Sequence, residues 1–244
     1  MNYLSFYLRE FFFPRGCGGC GNALLNPKDA YFGLCEDCRS FLNSSLANER
    51  HCELCGRSLI TERGSCLSCR EKQNSGEGNC NGRFIKQLTL FPYTGKFKRI
   101  LGAYKFRNSL GIGNFFALCL KTAVQEFLPE PAGESVWVPV PPRPGKMRKQ
   151  GWDQIEFLAG VLKKEYRLPV RRCLKRLPSR SQKELNKEER KTNLKGRIRC
   201  IKQPPQSAIL FDDVMTTGAT LNACAEALLE GGARNVYGVC LFYD

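Results

Sequence analysis

Residues 208–221 read Ala208-Ile209-Leu210-Phe211-Asp212-Asp213-Val214-Met215-Thr216-Thr217-Gly218-Ala219-Thr220-Leu221. A short apolar run precedes two adjacent carboxylates, and three threonines then surround one glycine at the start of a helical pattern. We predict a buried strand from Ser207 to Phe211, followed by a turn and a helix N-terminus. In open α/β sheets, ligands bind in the crevice beyond the carboxyl ends of the strands, which is where this turn would lie.

The residue types of the turn suit a sugar phosphate. Free backbone N–H groups and the three threonine hydroxyls can surround a phosphate monoester, whose negative charge the helix dipole favours. Gly218 allows the backbone to approach a ligand closely. Asp212 and Asp213 can accept hydrogen bonds from the vicinal hydroxyls of a ribose. This segment therefore predicts a site for a phosphorylated sugar.

Three other structures were considered for this segment. A Walker B strand also ends in acids, but the chain contains no G-x-x-x-x-G-K-[ST] loop to accompany it. An aspartyl-phosphatase motif has the order D-x-D, whereas the two acids here are adjacent. A plain core strand with a polar turn explains neither the acid pair nor the threonines. The sequence therefore favours the ligand-binding interpretation.

Strands and helices alternate through the rest of the second half. Apolar runs predict strands at 85–93, 135–140 and 236–242, and helical spacing predicts helices within 97–104, 115–128, 152–166 and 221–229. Strands separated by helices indicate a parallel sheet that is covered on both faces. Cys224 and Cys240 fall on the predicted core faces, where a thiol behaves as a small hydrophobe. We predict an α/β domain at residues 83–244.

Eight of the 14 cysteines form four Cys-x-x-Cys pairs: Cys17/Cys20, Cys35/Cys38, Cys52/Cys55 and Cys66/Cys69. Two residues between thiolates let one turn direct both sulfurs at one tetrahedral ion, and two such turns complete a four-sulfur site. Gly21 and Gly56 follow the second cysteine of their pairs, as expected for a tight knuckle with positive φ. We predict two structural zinc ions in a module of residues 1–82, which ends in the polar, glycine-rich linker 73–82.

Several alternatives for the cysteines stay open. A disulfide scaffold needs an oxidising compartment, and the chain shows no export signal. Iron–sulfur clusters use the same ligands, and spacing alone does not discriminate between metals. The spacing also leaves open whether the pairs close in sequence order or cross. His51, beside Cys52, is either a spare ligand or an ordinary exposed residue of the knuckle.

The net charge of +15 is concentrated in one part of the chain. Residues 143–202 hold 20 lysines and arginines against six acidic residues, whereas the remainder holds 18 against 17. A local basic field attracts polyanions such as a diphosphate or a nucleic acid backbone. The alternative is a solvated face that keeps the protein in solution.

The first 14 residues are apolar, but Arg9-Glu10 interrupts them. A membrane span needs about 20 apolar residues, and a secretory signal needs a basic start and a small-residue cleavage site. We therefore expect a short helix that packs on the protein, no membrane span and a cytoplasmic location.

These motifs resemble known families. Residues 208–221 match the phosphoribosyl-pyrophosphate signature of type I phosphoribosyltransferases, an apolar strand, two acids, two variable residues and a turn containing Thr-Gly-x-Thr. Nearly the whole chain resembles the ComF family of competence-protein relatives, which join a cysteine module to such a domain. Besides the cysteines, the resemblance rests on Phe91-Pro92-Tyr93-x-Gly95, Tyr104-Lys105-Phe106-Arg107, Val138-Pro139-Val140-Pro141, Arg148-x-x-Gly151-Trp152-x-Gln154, Arg180-x-Gln182 and Glu189-Arg190-x-x-Asn193. The chain departs from relatives at Pro142–Gly145 and at Trp152-Asp153, where they commonly carry other residues.

The resemblance implies a type I phosphoribosyltransferase fold preceded by a small zinc-ribbon-like module. It implies that Asp212 and Asp213 hold the ribose hydroxyls, with Arg180 and Gln182 as the other catalytic residues, on a loop within 176–195 that covers the substrate. The 5′-phosphate would lie on Met215, Thr216, Thr217, Gly218, Ala219 and Thr220. The diphosphate would lie near Arg143, Lys146 and Arg148, with Lys105 as a further phosphate contact. Mg²⁺ would arrive with the diphosphate of the substrate.

Two functions follow from the resemblance. In the first, the chain binds phosphoribosyl pyrophosphate or a related sugar phosphate and acts in DNA uptake and natural transformation, with single-stranded DNA or DNA-uptake proteins as partners. In the second, it is a metabolic phosphoribosyltransferase, a pentosyltransferase that acts on an unidentified acceptor without a nucleic-acid role.

Overall fold

The computed structural model describes residues 15–48, 50–52, 56, 58–59, 62–74, 84–107, 109–128, 135–178 and 197–244. The helix expected within the first 14 residues lies outside these ranges, as do the ligand Cys55 and the loop residues Arg180 and Gln182. No helix within the described ranges combines the length and the apolar character that crossing a membrane would require.

Helices and strands alternate along most of the described chain. In chain order they are α1 (Pro27–Phe32), α2 (Glu36–Asn48), β1 (Arg50–His51), β2 (Ser58–Leu59), α3 (Leu67–Asn74), β3 (Lys86–Pro92), α4 (Gly95–Phe106), α5 (Leu110–Phe127), β4 (Val136–Pro139), α6 (Lys146–Gln150), α7 (Gln154–Lys164), β5 (Leu174–Arg176), β6 (Ile198–Cys200), β7 (Ser207–Met215), α8 (Ala219–Glu230) and β8 (Asn235–Tyr243). The predicted strands and helices of the second half all form, with bounds that differ by a few residues.

A four-stranded parallel sheet in the order β3-β8-β7-β4 forms the centre of the fold. The predicted parallel α/β architecture is therefore confirmed. Pairing between β4 and β7 ends at Pro139 and Phe211, whereas β8 stays paired with β7 as far as Met215. The strand consequently extends to Met215 instead of ending at Phe211. Its last four residues have a backbone neighbour on one side and lie beyond the end of β4.

Apolar side chains cover both faces of the sheet because β7 alternates within its buried half. Ile209 and Phe211 join the cluster that contains α4, α5 and α7, while Ala208 and Leu210 join the cluster that contains α8, β5 and β6. Cys224 and Cys240 are fully buried in the second cluster, as predicted from their positions on core faces. The two layers hold β7 in the middle of the molecule.

Three elements of the basic stretch were not predicted. The helix α6 has five residues and no buried one, so it has no apolar periodicity to reveal it. The strands β5 and β6 have three residues each and form an antiparallel ribbon, in which Leu174 and Ile198 are the buried members. Strands this short contain too few alternations for a sequence pattern to be recognised.

The first cysteine cluster shares the main hydrophobic core with the sheet. Cys17, Leu34 and Cys38 are buried in the same cluster as Leu88 and Ile209. The backbone of Gly18 lies so close to α5 that a Cβ there would fall 2.4 Å from Cδ1 of Ile112. The N-terminal module is thus continuous with the α/β core in this part. The predicted domain boundary at residue 82 lies outside the described residues and stays a prediction.

The second cysteine knuckle covers the open edge of β3. The Thr89 N–H and hydroxyl both donate to the Gly56 carbonyl, over 3.0 and 2.8 Å. At the other edge of the sheet, the Trp137 N–H donates to the Pro169 carbonyl over 2.8 Å, and the Arg171 N–H donates to the Trp137 carbonyl over 2.9 Å. Covered edges do not offer unpaired backbone groups to other chains.

Gly56 provides a test of this docking. Its φ is +68°, and a Cβ there would lie 1.8 Å from the Gln87 carbonyl oxygen. Gly21 occupies the equivalent position in the first knuckle, with a φ of +90° and nothing within 4 Å of an added Cβ. We expect Gly56→Ala to lower the free energy of unfolding by about 2–4 kcal/mol. Gly21→Ala, which carries only the backbone strain, should lower it by about 1 kcal/mol.

Chemical denaturation of the zinc-loaded protein measures both values. Equal losses in the two variants would mean that the second knuckle does not press against β3.

Candidate functional site

The acid pair lies on the part of β7 that extends beyond β4. The Asp213 N–H donates to Oδ1 of Asp212 over 2.8 Å, which turns the first carboxylate back along the strand. Oδ2 of Asp213 forms an ion pair of 2.7 Å with Nζ of Lys105, at the end of α4. The two side chains of this ion pair are 17% and 20% exposed, respectively, so solvent screens it only in part.

Burial and charge together perturb Asp212. Burial raises its pKa to about 7, and the neighbouring Asp213 raises it in the same direction, while the Asp213 N–H and Lys105 oppose the shift. Near neutral pH the Asp212 carboxyl is therefore protonated in part of the molecules. A carboxyl group with this pKa can act both as a donor and as an acceptor toward a hydroxyl.

The turn behind the acids forms a hollow of about 240 Å³, including space open to solvent, lined by Asp212 and by residues 214–221. Gly218 has a φ of +73° and forms the N-cap of α8. Within the described residues, the N–H groups of Thr217, Gly218 and Thr220 have no hydrogen-bond partner, while that of Ala219 makes a long bond of 3.4 Å to Oγ1 of Thr217. Free amides at a helix N-terminus are suited to an anion.

Met215 contributes to this turn through its backbone. Its side chain is 6% exposed and belongs to the core cluster beneath α8. The Met215 sulfur accepts a bond of 2.7 Å from the Gln87 amide, and its carbonyl accepts the Asp244 N–H over 3.0 Å. These contacts anchor the start of the turn to β3 and to the end of β8.

A polar network supports the Lys105 side of the site. The Tyr104 hydroxyl donates to the Gln154 carbonyl over 2.7 Å, and the Gln154 amide donates to the Lys105 carbonyl over 3.5 Å. Nζ of Lys146 donates to Oδ2 of Asp153 over 2.6 Å and to the Gln154 side-chain oxygen. Asp153 also caps α7 through its other oxygen. The network joins α4, α6 and the start of α7.

Arg176 lies close enough to Asp212 to interact with its charge, and Arg143 and Arg197 lie close to Arg176. Burial lowers the pKa of Arg176, and the positive charges of Arg143 and Arg197 lower it further, whereas Cys224 and Asp212 act in the opposite direction. In the described part of the chain, no hydrogen bond or ion pair engages these three guanidinium groups. Like charges that gather without a counter-ion favour the binding of an anion.

The structure thus brings together many of the site residues proposed from the sequence. Lys105 reaches Asp213, and Arg143 lies near Arg176. Lys146 is engaged by Asp153, and Arg148 is exposed on α6. Arg197 was not proposed from the sequence, and Arg176 was proposed only as the start of the covering loop. Their clustering depends on the β5–β6 ribbon, which no sequence signal revealed.

The first cysteine cluster has the geometry of a four-sulfur metal site. The sulfurs of Cys17, Cys20, Cys35 and Cys38 lie within 4.8 Å of one another. Those of Cys20 and Cys35 are 3.6 Å apart, close to the separation of about 3.8 Å that tetrahedral Zn–S bonds of 2.3 Å require. The Gly19 and Cys35 N–H groups donate to the Cys17 sulfur over 3.4 and 3.3 Å. Burial alone would raise the pKa of Cys17, but backbone N–H groups lower it to about 6.

The second cluster contains Cys52, Cys66 and Cys69, with mutual sulfur distances within 4.8 Å. The Cys66 N–H donates to the Cys52 sulfur over 3.3 Å, which repeats a contact of the first cluster. Cys55, the expected fourth ligand, lies outside the described residues. The pairs therefore close in sequence order. His51 is half-buried, and its Nδ1 lies 3.3 Å from the Gly56 carbonyl oxygen, so it contacts the knuckle backbone.

Comparison with known proteins agrees with both halves of the chain. Residues 8–70 match the family described as Double zinc ribbon domain. The chain is 27% identical to competence protein ComFC of Streptococcus pneumoniae, over 83% of this chain and 84% of that protein. The chain resembles the ComF family along most of its length. It is also 28% identical to ComFC of Bacillus subtilis, over 86% and 82% of the two chains, and 25% identical to competence protein F of Haemophilus influenzae, over 92% and 95%.

The ComF resemblance predicted from the motifs is therefore confirmed, and the cysteine clusters fit structural zinc. With four sulfurs around each ion, no coordination position would remain for a substrate. The zinc ions would hold the two knuckles closed, one against α5 and the other against β3.

We expect two zinc ions per chain, because the first cluster supplies four thiolates and Cys55 is the predicted fourth ligand of the second. Cys38→Ser should reduce the content to about one, since three ligands hold zinc far less tightly than four. Cys200→Ser, which changes a partly exposed thiol outside both clusters, should leave two. Elemental analysis of protein purified without chelator measures the content. Iron instead of zinc, or no metal at all, would contradict the assignment.

The raised pKa of Asp212 predicts a stability that depends on pH. Its folded value is about 7 and its ordinary value is 3.8, so the folded state holds the proton more tightly and stability falls as pH rises through this window. Asp212→Asn keeps the acceptor for the Asp213 N–H and removes the charge. At pH 8 it should raise the free energy of unfolding by about 2 kcal/mol, and at pH 4 by close to zero.

Thermal unfolding across pH 4–8 measures the effect. Asp213→Asn is the matched control, because it removes the partner of Lys105 and should not stabilise the protein at pH 8. A wild-type and an Asp212→Asn curve that run parallel would rule out the perturbed carboxyl.

Proposed function

We propose that the chain binds phosphoribosyl pyrophosphate or a closely related sugar phosphate, in a role linked to DNA uptake and natural transformation. The observation that carries the proposal is the juxtaposition of an acid pair with a turn whose amides are free. Each part matches a different piece of one ligand. The names of the relatives, which are competence proteins, support the biological role.

The 5′-phosphate would bind in the turn. The amides of Thr217, Gly218 and Thr220 and the threonine hydroxyls would donate to its oxygens, and the dipole of α8 favours its charge. Gly218 leaves room for the phosphate because the nearest atoms to a Cβ there are 3.9 Å away. Asp212 and Asp213 lie on β7 just before the turn, and they would accept hydrogen bonds from the two ribose hydroxyls.

The diphosphate would lie toward the arginines. The guanidinium groups of Arg143, Arg176 and Arg197 make no hydrogen bond or ion pair within the described residues. Arg180 and Gln182 stay predicted contacts from the covering loop. Displacement of diphosphate from ribose C1 builds positive charge on the sugar and negative charge on the leaving group. The arginines would stabilise the latter, and Mg²⁺ bound to the diphosphate would neutralise part of its charge.

A nucleic acid is the proposed macromolecular partner. Lys175 and Arg199 lie directly opposite each other in the β5–β6 ribbon, and both are exposed. Like charges in that arrangement destabilise a ribbon, and a phosphate backbone would relieve the repulsion. Single-stranded DNA and DNA-uptake proteins therefore stay the proposed partners. The cytoplasmic location predicted from the sequence also stays a prediction.

A metabolic phosphoribosyltransferase with an unidentified acceptor is the second candidate. The same acid pair and turn favour this candidate, because a transfer reaction also requires that the protein bind the ribose and its 5′-phosphate. A nucleic-acid role would be absent in that case.

Calorimetry with phosphoribosyl pyrophosphate and Mg²⁺ tests the proposal. We expect saturable binding to the wild-type protein and a loss of at least about 100-fold in affinity in the double variant Asp212→Asn with Asp213→Asn, because both ribose acceptors lose their charge. The matched control is Glu126→Gln with Glu165→Gln, which removes two exposed charges elsewhere and should bind as the wild type does. No binding to the wild type with Mg²⁺ present would end the proposal.

A salt titration separates the two candidates. Binding of a single-stranded oligonucleotide should weaken steeply with salt if the basic ribbon contacts its phosphates. If the oligonucleotide does not bind at low salt while the sugar phosphate does, the metabolic candidate is favoured.

A further inference from the structure

We propose that Lys105 is a positioning residue of the acid pair, which holds Oδ2 of Asp213 at the end of α4 and so presents the other oxygen to the ribose. This inference rests on the proposed function and assigns a role that differs from the phosphate contact expected from the sequence. Lys105 would act through Asp213 and would not touch the phosphate.

The geometry of the ion pair supports this role. Nζ of Lys105 lies 2.7 Å from Oδ2 of Asp213, which is the length of a charge-assisted hydrogen bond. A lysine bound to this oxygen restricts rotation of the carboxylate and leaves Oδ1 as the remaining acceptor. The amine is therefore engaged by the protein before any ligand arrives, and it lies on the α4 side of the strand.

The backbone of Lys105 is held in place as well as its side chain. The Gln154 amide reaches the Lys105 carbonyl, and Gln154 in turn accepts the Tyr104 hydroxyl on its own carbonyl. The Trp152 ring packs edge-to-face on Tyr104, with the centroids 5.5 Å apart. An ordinary surface ion pair is formed by two long side chains that are free to move. Here buried neighbours fix the helix end that carries the lysine.

The placement of Lys105 also gives the two acids different surroundings. Lys105 forms an ion pair with Asp213, whereas Asp212 makes no direct ion pair within the described residues and interacts with Cys224, Cys240 and Arg176 as well as with Lys105. Asp153 adds negative charge from the start of α7. Because the charge of Lys105 lowers the pKa of Asp212, its removal should make the Asp212 carboxyl harder to ionise. In the wild type, Asp213 is the acid that pairs with the lysine, and Asp212, with a pKa of about 7, can exchange a proton near neutral pH.

The first measurement needs no ligand. The difference between the unfolding curves of the wild type and Asp212→Asn, followed across pH, gives the midpoint at which the pair titrates. The same difference in a Lys105→Met background should have its midpoint about one pH unit higher, since the compensating charge is gone. Lys105→Arg should restore the midpoint. Lys98→Met, which removes an exposed charge from the same helix, should leave it unchanged.

The second measurement is the affinity for phosphoribosyl pyrophosphate with Mg²⁺ at pH 7.5. Lys105→Met should weaken binding about tenfold or more, and Lys105→Arg should recover most of the loss. An unchanged midpoint in Lys105→Met would overturn the positioning role, whatever the ligand does. If the midpoint shifts but the wild type does not bind phosphoribosyl pyrophosphate, the ion-pair role of Lys105 stands and the proposed function is wrong.

Discussion

Backbone pairing between β7 and β8 is the constraint on which the site depends. The two strands stay in register from Ser207 to Met215, while β4 accompanies β7 only as far as Phe211. The difference in length places Asp212 and Asp213 on a strand that is held from one side and open on the other. Were β4 as long as β8, its side chains and backbone would occupy the space beside the acid pair in which we propose that a ribose binds.

This arrangement places the ionisable groups of Asp212 and Arg176 where burial disfavours their charged forms. Asp212 is perturbed by burial and by its neighbour, and Arg176 is perturbed by burial and by two other arginines. Each perturbation destabilises the folded protein without a ligand. Groups of this kind concentrate at functional sites because a bound ligand supplies the missing partner. Within the described ranges, the guanidinium groups of the three arginines and the amides of Thr217, Gly218 and Thr220 make no hydrogen bond or ion pair.

The cysteine module contributes to the architecture of the α/β unit. The first knuckle completes the core beside α5, and the second covers the edge of β3 with the Gly56 carbonyl. A small module of this kind has too few apolar residues to fold by burial alone, so metal binding supplies part of its folding free energy. Stability of the sheet and occupancy of the knuckles are therefore coupled through direct contacts such as that of Gly18 with Ile112.

The amino-acid sequence alone was enough to predict the features that depend only on residues adjacent in the chain. The strand–turn–helix around Gly218 and the Cys-x-x-Cys pairs are local, because a turn geometry or a knuckle needs only adjacent residues. The helices of the α/β unit other than α6 were also predictable, since their apolar spacing reflects one buried face. Packing between residues distant in sequence decided the rest. It determined which cysteine pairs come together, how far β7 extends and why Lys105 contacts Asp213. Lys105 and Asp213 are separated by more than a hundred residues, and only the assembled sheet and helices bring their charges within 2.7 Å.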